Sequence, residues 1–204
     1  MPPRFLYFDL GRVILNFDVS RMCRQMGQVA GMDATDVMKV IFESQLQNQY
    51  ERGQVSTPEF YEAFCTATGA RPDFNALSWA ANDIFELNTS IVPAIAQLQQ
   101  AGYRTGILSN TCDGHWEHCR RRFRILDDFD VYALSYRIGA AKPQKEIFQA
   151  AAELAGVAPE EIFFTDDIEG HVLGARSVGY DAVVYTATPS LVDELRRRGL
   201  RFNY

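Results

Sequence analysis

Five polar positions stand just beyond short apolar runs: Asp9, Ser109 with Asn110 beside it, Lys142, and the pair Asp166-Asp167. The runs before them read as buried strands. In an open parallel sheet, ligands bind beyond the carboxyl ends of the strands. Three carboxylates, one hydroxyl and one amine would then converge on a single rim. Three acids set together repel unless a cation sits among them. Mg²⁺ suits such a set, because it prefers carboxylate oxygens and keeps several waters. Taken singly, each residue has a plain structural role. Asp9 would serve as a turn residue or cap, Ser109 as the cap of a helix starting near Thr111, Lys142 as a solvated loop lysine, and Asp166-Asp167 as a helix cap. Their shared place at the same end of separate strands favours chemistry.

The elements that would hold them alternate. Phe5-Leu6-Tyr7-Phe8 reads as a buried strand running into Asp9-Leu10-Gly11, and Val13-Ile14-Leu15 as a short extended piece. From 19 to 87 the spacing is helical: Met22, Met26 and Val29 fall at i, i+4 and i+7, as do Phe60, Phe64 and Ala67. Ser56-Thr57-Pro58-Glu59 is a capping box with proline in the first turn. Beyond it, strands are predicted over 104–108, 131–134, 162–165 and 182–185, and helices over 91–100, 144–155, 170–178 and 191–198. Alternation of this kind implies a parallel sheet covered by helices. The fold class is α/β, with the core split after its first strand by an all-helical insert of about seventy residues.

Composition bounds the rest. The 204 residues, 47% hydrophobic and 23% charged, describe a globular chain long enough to bury a continuous core. The net charge of −6 does not steer the chain toward nucleic acid or an anionic membrane, and Arg120-Arg121-Arg122 and Arg196-Arg197-Arg198 read as solvated helix faces. Cys23, Cys65, Cys112 and Cys119 form no C-x-x-C pair, which points to a reduced, cytoplasmic setting. The stretch from Met1 to Asp9 is too short for a signal peptide, and no apolar run reaches the ~20 residues of a membrane span.

The ordered set resembles the haloacid dehalogenase-like (HAD) superfamily. The motifs are Phe8-Asp9-Leu10-Gly11-Arg12-Val13, then Leu108-Ser109-Asn110-Thr111, then Gly139-Ala140-Ala141-Lys142-Pro143, then Phe163-Phe164-Thr165-Asp166-Asp167 with Gly174-Ala175 and Gly179 behind it. The likeness runs across nearly the whole chain and is greatest to the phosphatase branch with a helical cap, including bacterial glucose-1-phosphate phosphatase-type enzymes. It implies a Rossmann-like HAD core over 1–17 and 88–204 and a cap over 18–87. It also implies a Mg²⁺-dependent hydrolase of small phosphorylated metabolites, sugar phosphates among the candidates. By the same resemblance Asp9 is the nucleophile that forms an aspartyl-phosphate. Asp9, the Gly11 carbonyl and Asp167 hold the metal, with Asp166 on a metal-bound water. Ser109 and Lys142 bind the phosphoryl group, beside Leu10, Gly11 and Asn110. Oligomeric state is not implied.

Three positions depart from the family pattern. Gly11 stands where most of these phosphatases carry a second aspartate, the general acid and base, whose help is typically worth ~10²–10⁴-fold. Its loss predicts a preference for good leaving groups. Arg12 replaces a glycine or asparagine, and His171 replaces Asn or Asp in the acidic motif. His115 and His118 flank Trp116 just after the second motif. His115 is the titratable side chain nearest the rim, and so the candidate for a replacement acid or a substrate contact.

Other readings are weighed against this one. A metal-independent 2-haloacid dehalogenase also uses an aspartate nucleophile, but generally lacks the paired acids. A receiver domain has its acid pair first and its phospho-acceptor in the middle, the reverse of this order. A weakly active or inactive HAD-fold binding protein is suggested by Gly11, and a phosphomutase would need the missing acid. On the cap, Tyr50-Glu51-Arg52 is the segment expected to face the site, with Glu51 and Arg52 as the residues to hydrogen-bond a polyol.

Overall fold

The computed structural model describes residues 2–204; Met1 lies outside them. The chain opens with β1 (Phe5–Phe8) and β2 (Leu15–Phe17). The insert follows: α1 (Val19–Ala30), α2 (Ala34–Met38) running into a π-helical turn, α3 (Leu46–Glu51), α4 (Thr57–Thr68), α5 (Phe74–Asn82) and β3 (Phe85–Leu87). Then come α6 (Val92–Gln100), β4 (Arg104–Ser109), α7 (Asp113–Arg122), β5 (Val131–Leu134), α8 (Ser135–Ile138) and α9 (Lys145–Ala155). The chain closes with β6 (Ile162–Asp166), α10 (Glu169–Ser177), β7 (Asp181–Val184) and α11 (Thr188–Arg197).

Five strands form one parallel sheet in the order β5-β4-β1-β6-β7. β1 is central and buried on both faces, which is why its sequence is a continuous apolar run rather than an alternation. Leu6 and Phe8 point into one core with Ile107 and Phe163, and Phe5 and Tyr7 into the other with Phe148 and Phe164. Register sets the rim. Phe8 stands beside Ile107 and Thr165, so Asp9, Leu108-Ser109 and Asp166 come level at the carboxyl edge.

The insert is helical up to Asn82, and its final residues are not. Phe85–Leu87 pairs antiparallel with Leu15–Phe17, where helical spacing was expected through residue 87. The two chain segments that enter and leave the insert lie side by side, and a two-stranded ribbon satisfies their backbone groups there. The extended piece also sits later than expected, starting at Leu15. Ser56 caps α4 with Glu59 in the predicted box. The last helix begins three residues before its predicted start, with Pro189 in its first turn.

No helix of the described residues is long and apolar enough to cross a membrane. The four cysteines are buried and unpaired. Two of the three arginines of α7 are ion-paired rather than simply solvated: Arg120 meets Asp127, and Arg122 meets Asp83 at the end of α5.

Candidate active site

Lys142 organises the rim. Its side chain is fully buried, and its three N–H donors have three acceptors: Asp9 Oδ1 at 2.9 Å, Asp166 Oδ2 at 2.5 Å and the Leu108 carbonyl at 3.0 Å. The loop that carries it is fixed from two sides. The Lys142 N–H donates to Asn110 Oδ1 at 2.8 Å, and Asn110 Nδ2 donates to the Lys142 carbonyl at 3.0 Å. Behind it, α10 packs closely because Gly174 has no side chain; a Cβ there would meet the Pro143 carbonyl at 2.8 Å.

Around the lysine lie Asp9, Asp166 and Asp167, with one carboxylate oxygen from each within 4.8 Å of the others. Asp9 accepts the Leu10 N–H at 2.7 Å. Burial pushes its carboxyl up to about 7 against the pull of the Lys142 ammonium, and Asp166 and Asp167 push the same way. Burial also acts on Asp166, but Lys142 and His171 outweigh it and hold that carboxyl at about 2. Asp167 is raised by burial and by Asp166 beside it. Burial works against the Lys142 charge, yet the two carboxylates hold it above its ordinary value. One buried cation among three acids leaves an excess of negative charge. A hard divalent cation suits that donor set, and the Gly11 carbonyl, two residues after Asp9, accepts no hydrogen bond among the described residues.

The other expected residues divide. Ser109 is buried at the end of β4, its hydroxyl donating to the Asn110 carbonyl at 3.3 Å. Leu10 is buried next to Asp9. His171 is not a solvent-facing helix-start residue: Nδ1 lies 3.0 Å from Asp166 Oδ2 and 3.1 Å from Oδ1. With Lys142, His171 and the Ile168 N–H on its two oxygens, Asp166 is committed to these partners, and Asp167 is the more open of the pair. Arg12 sits at φ 56°, which explains why glycine or asparagine is usual there. Its guanidinium lies over the Phe17 ring at 5.0 Å and 3.8 Å from Asp167.

The insert roofs this rim. A cavity of about 140 Å³ lies between Gly11, Ser109 and Asn110 below and Glu51, Gln47 and Phe42 above. Phe17, Val19, Met22, Ile84 and Phe85 give it an apolar wall. Of the Tyr50-Glu51-Arg52 segment, only Glu51 faces the cavity. Tyr50 is buried in the cap–core joint, where its hydroxyl lies 2.7 Å from Thr57 Oγ1 and accepts the Gly114 N–H at 2.9 Å. Arg52 donates to Gln144 at 3.1 Å, tying the cap to the loop of Lys142. Glycine is needed next. Gly53 has φ 66°, and a Cβ there would lie 2.1 Å from the Tyr136 carbonyl.

His115 does line the cavity, with its ring edge-on to Phe85 at 5.1 Å. Burial pushes its imidazolium down to about 4, so the ring is neutral near pH 7 and unsuited to donate a proton as a cation. Ser135 was missed. Its hydroxyl donates to the Glu51 carbonyl at 2.5 Å and accepts the Thr111 N–H at 2.9 Å, joining cap to core. It directly follows β5, the same strand-end place as the other rim residues, and that position is its signal in the sequence.

Known proteins resemble this chain. The family model described as haloacid dehalogenase-like hydrolase matches residues 24–179. A D-ribitol-5-phosphate phosphatase from Bacteroides thetaiotaomicron is 25% identical, with 86% of this chain and 88% of that one covered. A phosphatase from Mycobacterium tuberculosis is 36% identical over 91 residues, which span 44% of this chain and only 42% of the relative's length. Among solved structures, a HAD family enzyme from Bacteroides thetaiotaomicron in complex with magnesium and inorganic phosphate superposes with a TM-score of 0.81 at 27% identity, covering 91% of this chain and 95% of that one.

Proposed function

The chain belongs to the haloacid dehalogenase-like hydrolases, and we propose that it is a phosphatase that hydrolyses small phosphomonoesters through a phosphorylated Asp9. The observation that carries this reading is the Asp9–Lys142–Asp166 array, with Asp167 alongside, next in the chain to Leu10 and Gly11, which line the roofed cavity with Ser109.

In this reading Asp9 attacks phosphorus and the ester oxygen departs. The Lys142 ammonium stays on Asp9 and orients it, while adding positive charge beside the incoming phosphoryl group. Ser109 and the nearby backbone N–H groups bind phosphoryl oxygens. Asp9, Asp167 and the Gly11 carbonyl, with Asp166 behind them, would hold a magnesium ion, which would supply further positive charge for a doubly anionic substrate. His171 and Lys142 keep Asp166 ionised. The roof excludes bulk water, which strengthens each of these charge interactions.

A cavity of about 140 Å³ supports a small metabolite phosphate as the substrate. A metal-independent dehalogenase fits less well, because three convergent carboxylates would oppose an anionic haloacid without a cation to offset them. A screen of phosphomonoesters with and without Mg²⁺, in the native protein and in Asp9→Asn, tests the proposal. Mg²⁺-dependent phosphate release that is abolished in a folded Asp9→Asn protein is the expected result. Substantial residual turnover in that variant would remove Asp9 from the role of nucleophile.

A further inference from the structure

Position 11 carries no side chain, so the core places no proton donor on the leaving-group side of Asp9. The cavity above it contains one carboxyl, on Glu51 at the end of α3. We propose that Glu51, delivered by the cap, is the general acid and base of the reaction in place of a side chain at position 11. This rests on the reading of Asp9 as nucleophile.

Glu51 shares the cavity with Gly11 and Ser109, the residues beside the attacked phosphorus in that reading. Its carboxyl accepts Gln47 Nε2 at 2.8 Å and, among the described residues, has no other hydrogen-bond donor and no ion-pair partner. A carboxyl enclosed without a cation is rare unless it has work there. Burial raises it above its ordinary value, against the Gln47 amide and the more distant Lys142 charge, which keeps more of it protonated near neutral pH. Its backbone is pinned: the Ser135 hydroxyl holds its carbonyl, and Gly53 lies against Tyr136.

The neighbouring groups are less suited. The imidazole of His115 is already neutral. The Cys112 thiol is pushed far up by burial. Lys142 is committed to two carboxylates, the Tyr50 hydroxyl to Thr57 and Gly114, and Arg52 to Gln144.

The steps balance as follows. An Asp9 carboxylate oxygen forms a bond to phosphorus, and the bond from phosphorus to the ester oxygen breaks, leaving its electron pair on that oxygen. The Glu51 carboxyl gives its proton to the same oxygen, and a neutral alcohol departs. Glu51, now ionised, takes a proton from the water that attacks phosphorus of the aspartyl-phosphate. The bond from phosphorus to Asp9 breaks, releasing hydrogen phosphate and restoring ionised Asp9 and protonated Glu51.

The test compares the native protein with Glu51→Gln and Glu51→Ala, in Mg²⁺, on p-nitrophenyl phosphate and on benzyl phosphate, whose leaving alkoxide needs a proton. For Glu51→Gln we expect kcat/KM on benzyl phosphate to fall ~100-fold and on p-nitrophenyl phosphate less than ~5-fold. Its kcat falls on both substrates, and p-nitrophenol appears in a burst, because hydrolysis of the intermediate has lost its base. In the native protein kcat/KM on benzyl phosphate declines as pH rises through the Glu51 titration, and in Glu51→Gln that decline is absent. Added formate restores benzyl phosphate turnover to Glu51→Ala. Equal losses on both substrates without a burst, or no loss on benzyl phosphate, would overturn the role of Glu51. Phosphatase activity that survives in Asp9→Asn would instead overturn the reading beneath it.

Discussion

The Asn110 carboxamide and the Lys142 main chain form a two-bond pair, at 2.8 Å and 3.0 Å, that welds the end of β4 to the loop carrying the lysine. Asn110 therefore acts on the site through the placement of Lys142, whose ammonium must reach Asp9, Asp166 and the Leu108 carbonyl at once. Asn110→Ala removes both bonds and leaves a buried N–H and C=O short of partners. The expected result is a kcat/KM reduced by ~10–100-fold, with stability lowered by about 1–3 kcal/mol. Kinetics with Mg²⁺ and urea unfolding check the two parts. Unchanged kcat/KM would mean that the loop holds Lys142 without Asn110.

His115 gives a pH dependence with a definite sign. Burial lowers its pKa from 6.5 to about 4 in the folded chain, so protons bind the unfolded chain more readily. Above pH 6.5 the ring is neutral in both states and contributes no penalty. As pH falls from 6.5 toward 4 the folded state loses stability, by about 2 kcal/mol at pH 5. His115→Gln has no charge to gain. Urea midpoints of the two proteins should diverge between pH 7 and pH 5, with the native protein falling more steeply. Parallel curves would show that the ring is solvated.

Arg12 holds a left-handed backbone that glycine adopts freely. Arg12→Gly relieves about 1 kcal/mol of that cost but also makes the unfolded chain more flexible, so thermal stability should change little. The variant also strips the guanidinium from Phe17 and Asp167. A more negative, more open Asp167 should bind Mg²⁺ more tightly, which a larger rise in Tm on adding Mg²⁺ would report. A smaller rise would show that Arg12 supports the acidic cluster rather than competing with the ion.

Much of this protein is written locally. Strands buried on both faces leave unbroken apolar runs, such as Phe5–Phe8, and parallel strands need helical crossovers, so the alternation and the residues at the strand ends were legible along the chain. The sequence also determined that three acids, a serine and a lysine belong to one rim, because the carboxyl ends of parallel strands share an edge. It did not determine what lies above that edge. Helical spacing in α3 says that Tyr50, Glu51 and Arg52 are near one another, not which of them turns inward. That choice is made by Ser135, Gly114 and Gln144, each more than sixty residues away in the chain. Likewise His115 is a rim histidine in sequence and a neutral, walled-in ring in three dimensions, because desolvation by Phe85 and its neighbours depends on packing. The bounds of β2, and β3 with its pairing to β2, depend on packing for the same reason. Three-residue strands carry too little periodicity to be seen, and they form only because the two crossings into the insert lie side by side.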